Sequence, residues 1–275
     1  MKIVVASGKG GTGKTTISVN MFKSLANSQL LDCDVEEPDS QHFLNLDLED
    51  DGNVTSYSPI IDDDKCDLCG ECADLCHFNA IVVTPNKAMI FPELCHGCGL
   101  CALACPQGAI SEESKEVGKI QKGMDSRFYQ GVLNTGELLA PILINAVKDR
   151  ANQEEVIIID APPGNSCSAV AAVDGADFCI LVTEPTPFGL HDLKYSVRMV
   201  KELGVPYAVV INRDGVGDDR VEKYCEEEGI PILLKIPNNR EIAQLYSRGI
   251  PFVDEMPEWK EKFEELYRKT KEMVA

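Results

Sequence analysis

Lys2-Ile3-Val4-Val5-Ala6-Ser7-Gly8-Lys9-Gly10-Gly11-Thr12-Gly13-Lys14-Thr15 decides how the rest of this sequence is read. Residues 2–6 are a short, mostly apolar run ended by glycines, the pattern of a buried parallel strand. Gly8 to Thr15 fits G-x-x-x-x-G-K-S/T. Glycines at those places let backbone N–H groups converge on phosphate oxygens, and the helix that follows adds its positive N-terminal end. Ile17, Met21, Phe22 and Leu25 supply helical spacing over 14–27. On this reading Gly8, Lys9, Gly10, Gly11, Thr12, Gly13 and Thr16 surround the phosphates. Lys14 reaches the β- and γ-phosphates, and the Thr15 hydroxyl takes Mg²⁺.

Working outward, a second short strand ends at Asp32 over 30–32, and the segment 26–31 is short enough to abbreviate it. Residues 40–60 are polar and acidic with few structure signals. Strands are expected within 117–133 and a helix over 137–150. Val156-Ile-Ile-Ile-Asp160 is another apolar strand, followed by Ala-Pro-Pro-Gly164. Further buried strands read at 178–183, 207–211 and 231–236, with helices at 190–203, 218–228 and 239–247. The segment 257–274 places Trp259, Phe263, Leu266, Tyr267 and Met273 on one helical stripe, expected to dock on its own domain. Strands alternating with helices predict an α/β fold, a mostly parallel sheet covered by helices on both faces.

Composition narrows the function classes. Lys and Arg total 26 against 45 Asp and Glu, a formal charge of −19, and 44% of the 275 residues are hydrophobic. That apolar share suits a globular chain, not a disordered one. The acidity argues against non-specific binding to nucleic acid or anionic membrane. No apolar run approaches the roughly 20 residues that span a bilayer, so no stable membrane insertion is expected. With no signal peptide visible either, the expected location is cytoplasmic.

Twelve cysteines are many for a reducing compartment, and eight of them lie between Cys66 and Cys105. Cys66-x2-Cys69-x2-Cys72-x3-Cys76 is followed by Cys95-x2-Cys98-x2-Cys101-x3-Cys105-Pro106. This is the spacing of bacterial two-cluster ferredoxins, in which the fourth cysteine of each run ligates the other cluster. One [4Fe–4S] cluster is therefore expected on Cys66, Cys69, Cys72 and Cys105, the other on Cys76, Cys95, Cys98 and Cys101. Zinc would call for separated cysteine pairs instead. The expected organisation is a discontinuous nucleotide-binding domain, 1–60 and 113–275, with a ferredoxin domain inserted at 61–112. His77 stands where proline is usual, so a local change of backbone or exposure is expected there. His96 reads as a surface histidine, Cys179 as a core residue, and Cys225 as lying on a solvated helix face.

Lys9-Gly10-Gly11-Thr12-Gly13-Lys14-Thr15 resembles the deviant Walker A motif of the MinD/ParA/Mrp and nitrogenase iron-protein group. Asp32-Cys33-Asp34-Val-Glu-Glu-Pro, Asp160-Ala-Pro-Pro-Gly164 and Thr183-Glu-Pro-Thr-Pro-Phe-Gly-Leu-His-Asp-Leu extend the resemblance over nearly the full length. The resemblance implies an ATPase of the SIMIBI class whose Lys9 reaches across a nucleotide-dependent dimer, either a homodimer or one with a close paralogue. It implies that Asp34, with Asp39 a weaker candidate, positions the attacking water. It further implies that Asp160 holds Mg²⁺ through water and that Gly164 senses the γ-phosphate. Asn212 would read the adenine, with Ile236-Pro237 packing on the base, although an asparagine after a strand is also a common turn residue.

Three functions fit: ATP-gated electron transfer through two [4Fe–4S] clusters, ATP-dependent assembly or delivery of iron–sulfur or metal cofactors, and spatial positioning of a cargo. The first is favoured and the second is the alternative, with a redox or cluster-assembly protein as partner. Positioning would need a membrane helix or a basic surface.

Overall fold

The computed structural model describes residues 1–152, 154 and 156–274. Its strands are β1 (Lys2–Ala6), β2 (Ser28–Asp32), β3 (Glu49–Ile61), β4 (Ile81–Val83), β5 (Ala88–Ile90), β6 (Ile110–Gly123), β7 (Phe128–Leu133), β8 (Val156–Asp160), β9 (Phe178–Thr183), β10 (Tyr207–Asp214) and β11 (Ile232–Pro237). Its α-helices are α1 (Lys14–Ser24), α2 (Ser40–Leu44), α3 (Glu71–Asp74), α4 (Leu100–Ala104), α5 (Ala140–Lys148), α6 (Cys167–Val173), α7 (Pro187–Leu203), α8 (Arg220–Glu227), α9 (Arg240–Ser247), α10 (Phe252–Glu255) and α11 (Glu258–Val274).

Among the described residues one large sheet runs β11-β10-β9-β1-β8-β2-β7-β6-β3. Neighbours from β11 to β7 are parallel, whereas β6 and β3 add antiparallel. The mostly parallel α/β architecture is as the sequence predicts. The pleat of β1 sorts the core into two layers. Ile3 and Val5 pack with Ile17, Met21, Phe252, Trp259 and Phe263 of α1, α10 and α11. Val4 and Ala6 pack with Leu143, Ala169, Val197 and Val221 of α5 to α8. The apolar stripe of α11 is thus spent on the protein's own core, with Trp259, Phe263 and Leu266 buried. No helix among the described residues is long and apolar enough to cross a membrane.

Three expectations are corrected. β2 is not abbreviated: Ser28–Asp32 is fully buried and pairs along its length with β8. The acidic stretch 40–60 contains α2 and most of β3. Cys225 is buried, because Val221 and Cys225, one turn apart, form the inward stripe of an otherwise charged α8.

β3 and β6 form a two-stranded ribbon paired from Glu49–Lys122 to Ile61–Ile110. β7 ends at Leu133 opposite Gly118, so β6 residues 110–117 run beyond it. At about 3.4 Å per residue the ribbon overhangs by about 25 Å. Because β6 opposes β7, the overhang leaves the edge at which the parallel strands end. At its tip sit α3, α4 and the hairpin β4–β5.

Residues 66–80 and 95–109 repeat one backbone plan. Leu68 and Gly97 have φ of 61° and 63°, and Asn79 and Gly108 have 53° and 57°. The Ala80 N–H points to Cys76 Sγ at 3.4 Å, the Ala109 N–H to Cys105 Sγ at 3.3 Å. His77 therefore causes no backbone change relative to Pro106. Asn79, a residue tolerant of left-handed backbone, sets that turn.

Candidate functional site

The loop between β1 and α1 is held from both sides. Gly13 has φ 95°, and a Cβ there would collide with the Asn212 side-chain amide. That amide donates to the Thr12 carbonyl at 2.8 Å, so β10 buttresses the loop. Gly164, at φ 90° beyond β8, donates its N–H to the Ser7 carbonyl at 3.0 Å. Lys14 opens α1 and is buried.

A cleft of about 250 Å³ lies over this loop. It brings together Gly10, Gly11, Gly13, Lys14, Thr15, Thr16, Asp34, Asp39, Asn212 and Pro237. Gly8, Lys9, Thr12, Asp160 and Gly164 stand outside its lining. Sequence reading missed Arg213, the N-cap Asn239 and the α9 face carrying Ile242 and Tyr246, which also line it. The available signal was the N-cap in Pro237-Asn238-Asn239: Asn239 accepts the Glu241 N–H at 2.7 Å, so α9 starts directly after the end of β11.

At Asp39 the cleft lining joins a carboxylate cluster, in which oxygens of Asp32, Asp39 and Asp160 lie within 4.8 Å of one another. Ser40 N–H donates to Asp32 Oδ2 at 3.1 Å, and Asp34 N–H to Asp32 Oδ1 at 3.1 Å. Burial, reinforced by the Asp160 charge, holds Asp32 well above the usual carboxylate range. Burial pushes Asp160 up to about 6 against the pull of Lys14 and Thr15, and pushes Asp34 up to about 7 with Asp160 adding to it. Asp39 is also raised, chiefly by burial. Asp39 Oδ1 and Thr12 Oγ1 are buried with no hydrogen-bond partner among the described residues. Crowded carboxylates beside a lysine and a threonine hydroxyl fit a phosphate-bound divalent cation, whose charge would offset their repulsion.

The cysteines of the ribbon tip line two further cavities. One is lined by Cys66, Cys69, Cys72 and Cys105 together with Ile61, Val83 and Ile110. The other is lined by Cys76, Cys95, Cys98 and Cys101, with Cys72 at the shared wall and Tyr57, Phe78 and His96 around it. His96 is exposed and stacks on Phe78 with ring centroids 3.7 Å apart. Burial raises the Cys72 and Cys101 thiols. Gly97 N–H points to Cys95 Sγ at 3.4 Å. Four cysteines lining each cavity, backbone N–H groups aimed at Cys76, Cys95 and Cys105 sulfur, and apolar walls fit a thiolate-ligated cluster in each. Cys33 and Cys179 are buried and Cys167 is exposed at the start of α6.

Comparison with known proteins identifies the family of the sheet domain. The chain is 31% identical to an uncharacterised protein of Methanocaldococcus jannaschii over 92% of its own length and 91% of the other. It is 28% identical to the iron-sulfur cluster carrier protein of Pyrococcus abyssi, covering 99% of this chain and 87% of that one. Among solved structures, the fold is shared with the septum site-determining protein MinD complexed with Mg-ADP from Pyrococcus horikoshii, at a TM-score of 0.58 and 23% identity over 96% of this chain and 93% of that one. Residues 3–252 match the CobQ/CobB/MinD/ParA nucleotide binding domain. With the glycine loop, the buried lysine and the strand-end carboxylates all inside that span, this chain belongs to the MinD/ParA superfamily of P-loop ATPases.

Proposed function

We propose that this protein uses ATP binding and slow, partner-stimulated hydrolysis to control the handling of iron–sulfur clusters held at the tip of its ribbon, the inserted ferredoxin domain of residues 61–112. The observation that carries this reading is the placement of two four-cysteine cavities on a ribbon that leaves the sheet at its P-loop edge. The similarity to iron-sulfur cluster carrier proteins supports delivery over the electron transfer favoured by sequence alone.

In this reading Gly8 to Thr16 bind the phosphates of ATP or ADP, and Lys14 neutralises β- and γ-phosphate charge. Thr15 and Asp160 would hold Mg²⁺, which supplies charge neutralisation at those phosphates. Asp34 orients the attacking water, Gly164 follows the γ-phosphate, and Asn212 and Pro237 border the base. Lys9 acts across a nucleotide-dependent dimer, a homodimer or a pairing with a close paralogue. Cys66, Cys69, Cys72 and Cys105 would hold one [4Fe–4S] cluster, and Cys76, Cys95, Cys98 and Cys101 the other. The partner is a cluster-accepting or redox protein.

Cys72 borders both cavities, so two clusters would be close neighbours, and this favours electron transfer as the second reading. Anaerobic protein, containing about eight irons and matching sulfide per chain, is mixed with an apoprotein that needs a [4Fe–4S] cluster. ATP-dependent appearance of cluster in the acceptor supports delivery. Retained clusters that change redox state with ATP turnover support electron transfer. Stoichiometric zinc without sulfide overturns both.

A further inference from the structure

Glu184 stands in the turn between β9 and α7, its side chain only 11% exposed. Two cations reach it: Lys9 Nζ lies 3.4 Å from Oε2, and Arg213 NH1 donates to Oε1 at 2.6 Å. Backbone contacts fix its position. The Thr186 N–H donates to the Glu184 carbonyl at 2.8 Å, and a Cβ on Gly189 would strike that same carbonyl. The Lys9 backbone is equally fixed. Its carbonyl accepts from Ser7 Oγ at 2.7 Å, and the preceding Gly8 is packed against Asp192 of α7. Only the Lys9 side chain, about a third exposed, is free to swing.

We propose that Glu184 is a positioning residue for Lys9. It parks the lysine within its own protomer while the site is empty and yields it to the nucleotide phosphates of a partner copy when ATP is bound. The proposal rests on the reading above that Lys9 acts across a dimer. The local charges make the exchange possible. A buried carboxylate stripped of its only cation is strongly disfavoured. Here Arg213 remains on Oε1 after Lys9 leaves Oε2, so the carboxylate stays paired in both states. Arg213 itself has a left-handed backbone, φ 55°, with its N–H bonded to Asn212 Oδ1 at 3.0 Å, and it lines the nucleotide cleft. One carboxylate thus holds the lysine and the cleft wall together. Triphosphate carries more negative charge than Glu184 can offer, so the assembled site outcompetes the parking contact.

The test uses the full chain with a non-hydrolysable ATP analogue. Glu184→Gln removes the competing charge, so half-maximal dimerisation is expected at a protein concentration roughly three- to fivefold lower than for the wild type, the range of a partly exposed ion pair. In nucleotide-free protein, peptide-mapped acylation of the Lys9 amine is expected to be faster in Glu184→Gln while other lysines label as before. Lys9→Gln should abolish analogue-dependent dimerisation. If Lys9→Gln dimerises like the wild type, the dimer role of Lys9 is wrong. If Lys9→Gln fails to dimerise while Glu184→Gln changes neither dimerisation nor Lys9 labelling, the parking proposal is overturned. Should Glu184→Gln lose its fold on thermal unfolding, Glu184→Asp, one methylene shorter, replaces it. Faster Lys9 labelling then supports the proposal, and unchanged labelling refutes it.

Discussion

Ser18 Oγ lies 3.0 Å from Asp160 Oδ1 and 3.1 Å from the Lys14 carbonyl, sharing its hydrogen between them. It ties the first turn of α1 to the end of β8 directly beneath the phosphate loop, and it leaves the Asp160 carboxylate buried beside Asp32 and Asp39.

That crowding has a pH signature. Burial raises Asp160 to about 6 and holds Asp32 well above its ordinary value. Between about pH 4 and those raised values the folded protein keeps protons that the unfolded chain has released, so this contribution to stability falls as pH rises. Asp160→Asn removes one charge and relieves Asp32. Each tenfold difference in proton affinity between folded and unfolded chain is worth about 1.4 kcal/mol. Nucleotide-free wild type should therefore lose roughly 1–3 kcal/mol more than the variant between pH 5 and 8. Mg²⁺ with an ATP analogue should stabilise the wild type more at pH 8 than at pH 5. Denaturant unfolding at the two pH values checks both, and an equal pH dependence of stability for wild type and variant would refute the carboxylate argument.

Lys14 is 6% exposed, so a phosphate bound at this loop would meet its ammonium with little water between them. Lys14→Ala should weaken ATP binding by roughly tenfold to hundredfold, the worth of a hydrogen bond to a charged group. Thr15→Val should retain more affinity but lose its dependence on Mg²⁺. Calorimetric titration with and without Mg²⁺ separates the two, and unchanged affinity in Lys14→Ala would remove the P-loop reading.

Cys69 borders only the first cysteine cavity and Cys98 only the second. Cys69→Ala and Cys98→Ala should each lose about four irons per chain, half of the full complement. Cys72→Ala, at the shared wall, should disturb both sites. Iron analysis with electron paramagnetic resonance of the reduced protein distinguishes these outcomes. Two clusters surviving in Cys69→Ala would show the ligand set to be wrong.

Legibility in the sequence follows the presence of a local pattern. β1, the glycine loop and α1 are readable because strand, turn and helix each carry their own signal within a few residues. The cysteine spacing is readable because it is a fixed local pattern, the one that cluster ligation would impose. β3 escapes sequence reading for a physical reason: much of Glu49–Ile61 is exposed, so it has no hydrophobic alternation and is held by its backbone ladder to β6. The glutamates around Cys225 mask a two-residue inward stripe. Glu184 and Arg213 meet across 29 positions of sequence, and nothing local announces that pair.

Nucleotide state and cluster state are expected to be coupled through the ribbon. Asp34 lines the nucleotide cleft, and the carbonyl of the next residue, Val35, accepts the Leu133 N–H at 2.9 Å. Asn134 N–H then donates to the Val117 carbonyl at 2.9 Å, on β6. Lys115 pairs with Ser56 across the ribbon, and Ser56 is the residue that a Cβ on Gly97, between Cys95 and Cys98, would strike. Loops that order around γ-phosphate and Mg²⁺ relax after hydrolysis, so movement at Asp34 has a route through backbone hydrogen bonds to the ribbon and from there through side-chain packing to the second cysteine cavity. A passive insertion on a tolerant surface loop would lack this response. Replacing ADP by a non-hydrolysable ATP analogue should therefore shift the potential of the second cluster more than that of the first. Reduction must shift ATP affinity by the same factor, and about 60 mV for one electron corresponds to tenfold. Leu133→Pro deletes the donor to Val35 and should shrink both shifts together. Redox titration with ADP, with the analogue and without nucleotide, alongside ATP affinity in oxidised and reduced protein, measures both sides. Identical potentials and identical affinities would mean that the ribbon carries the cysteines without linking them to the nucleotide.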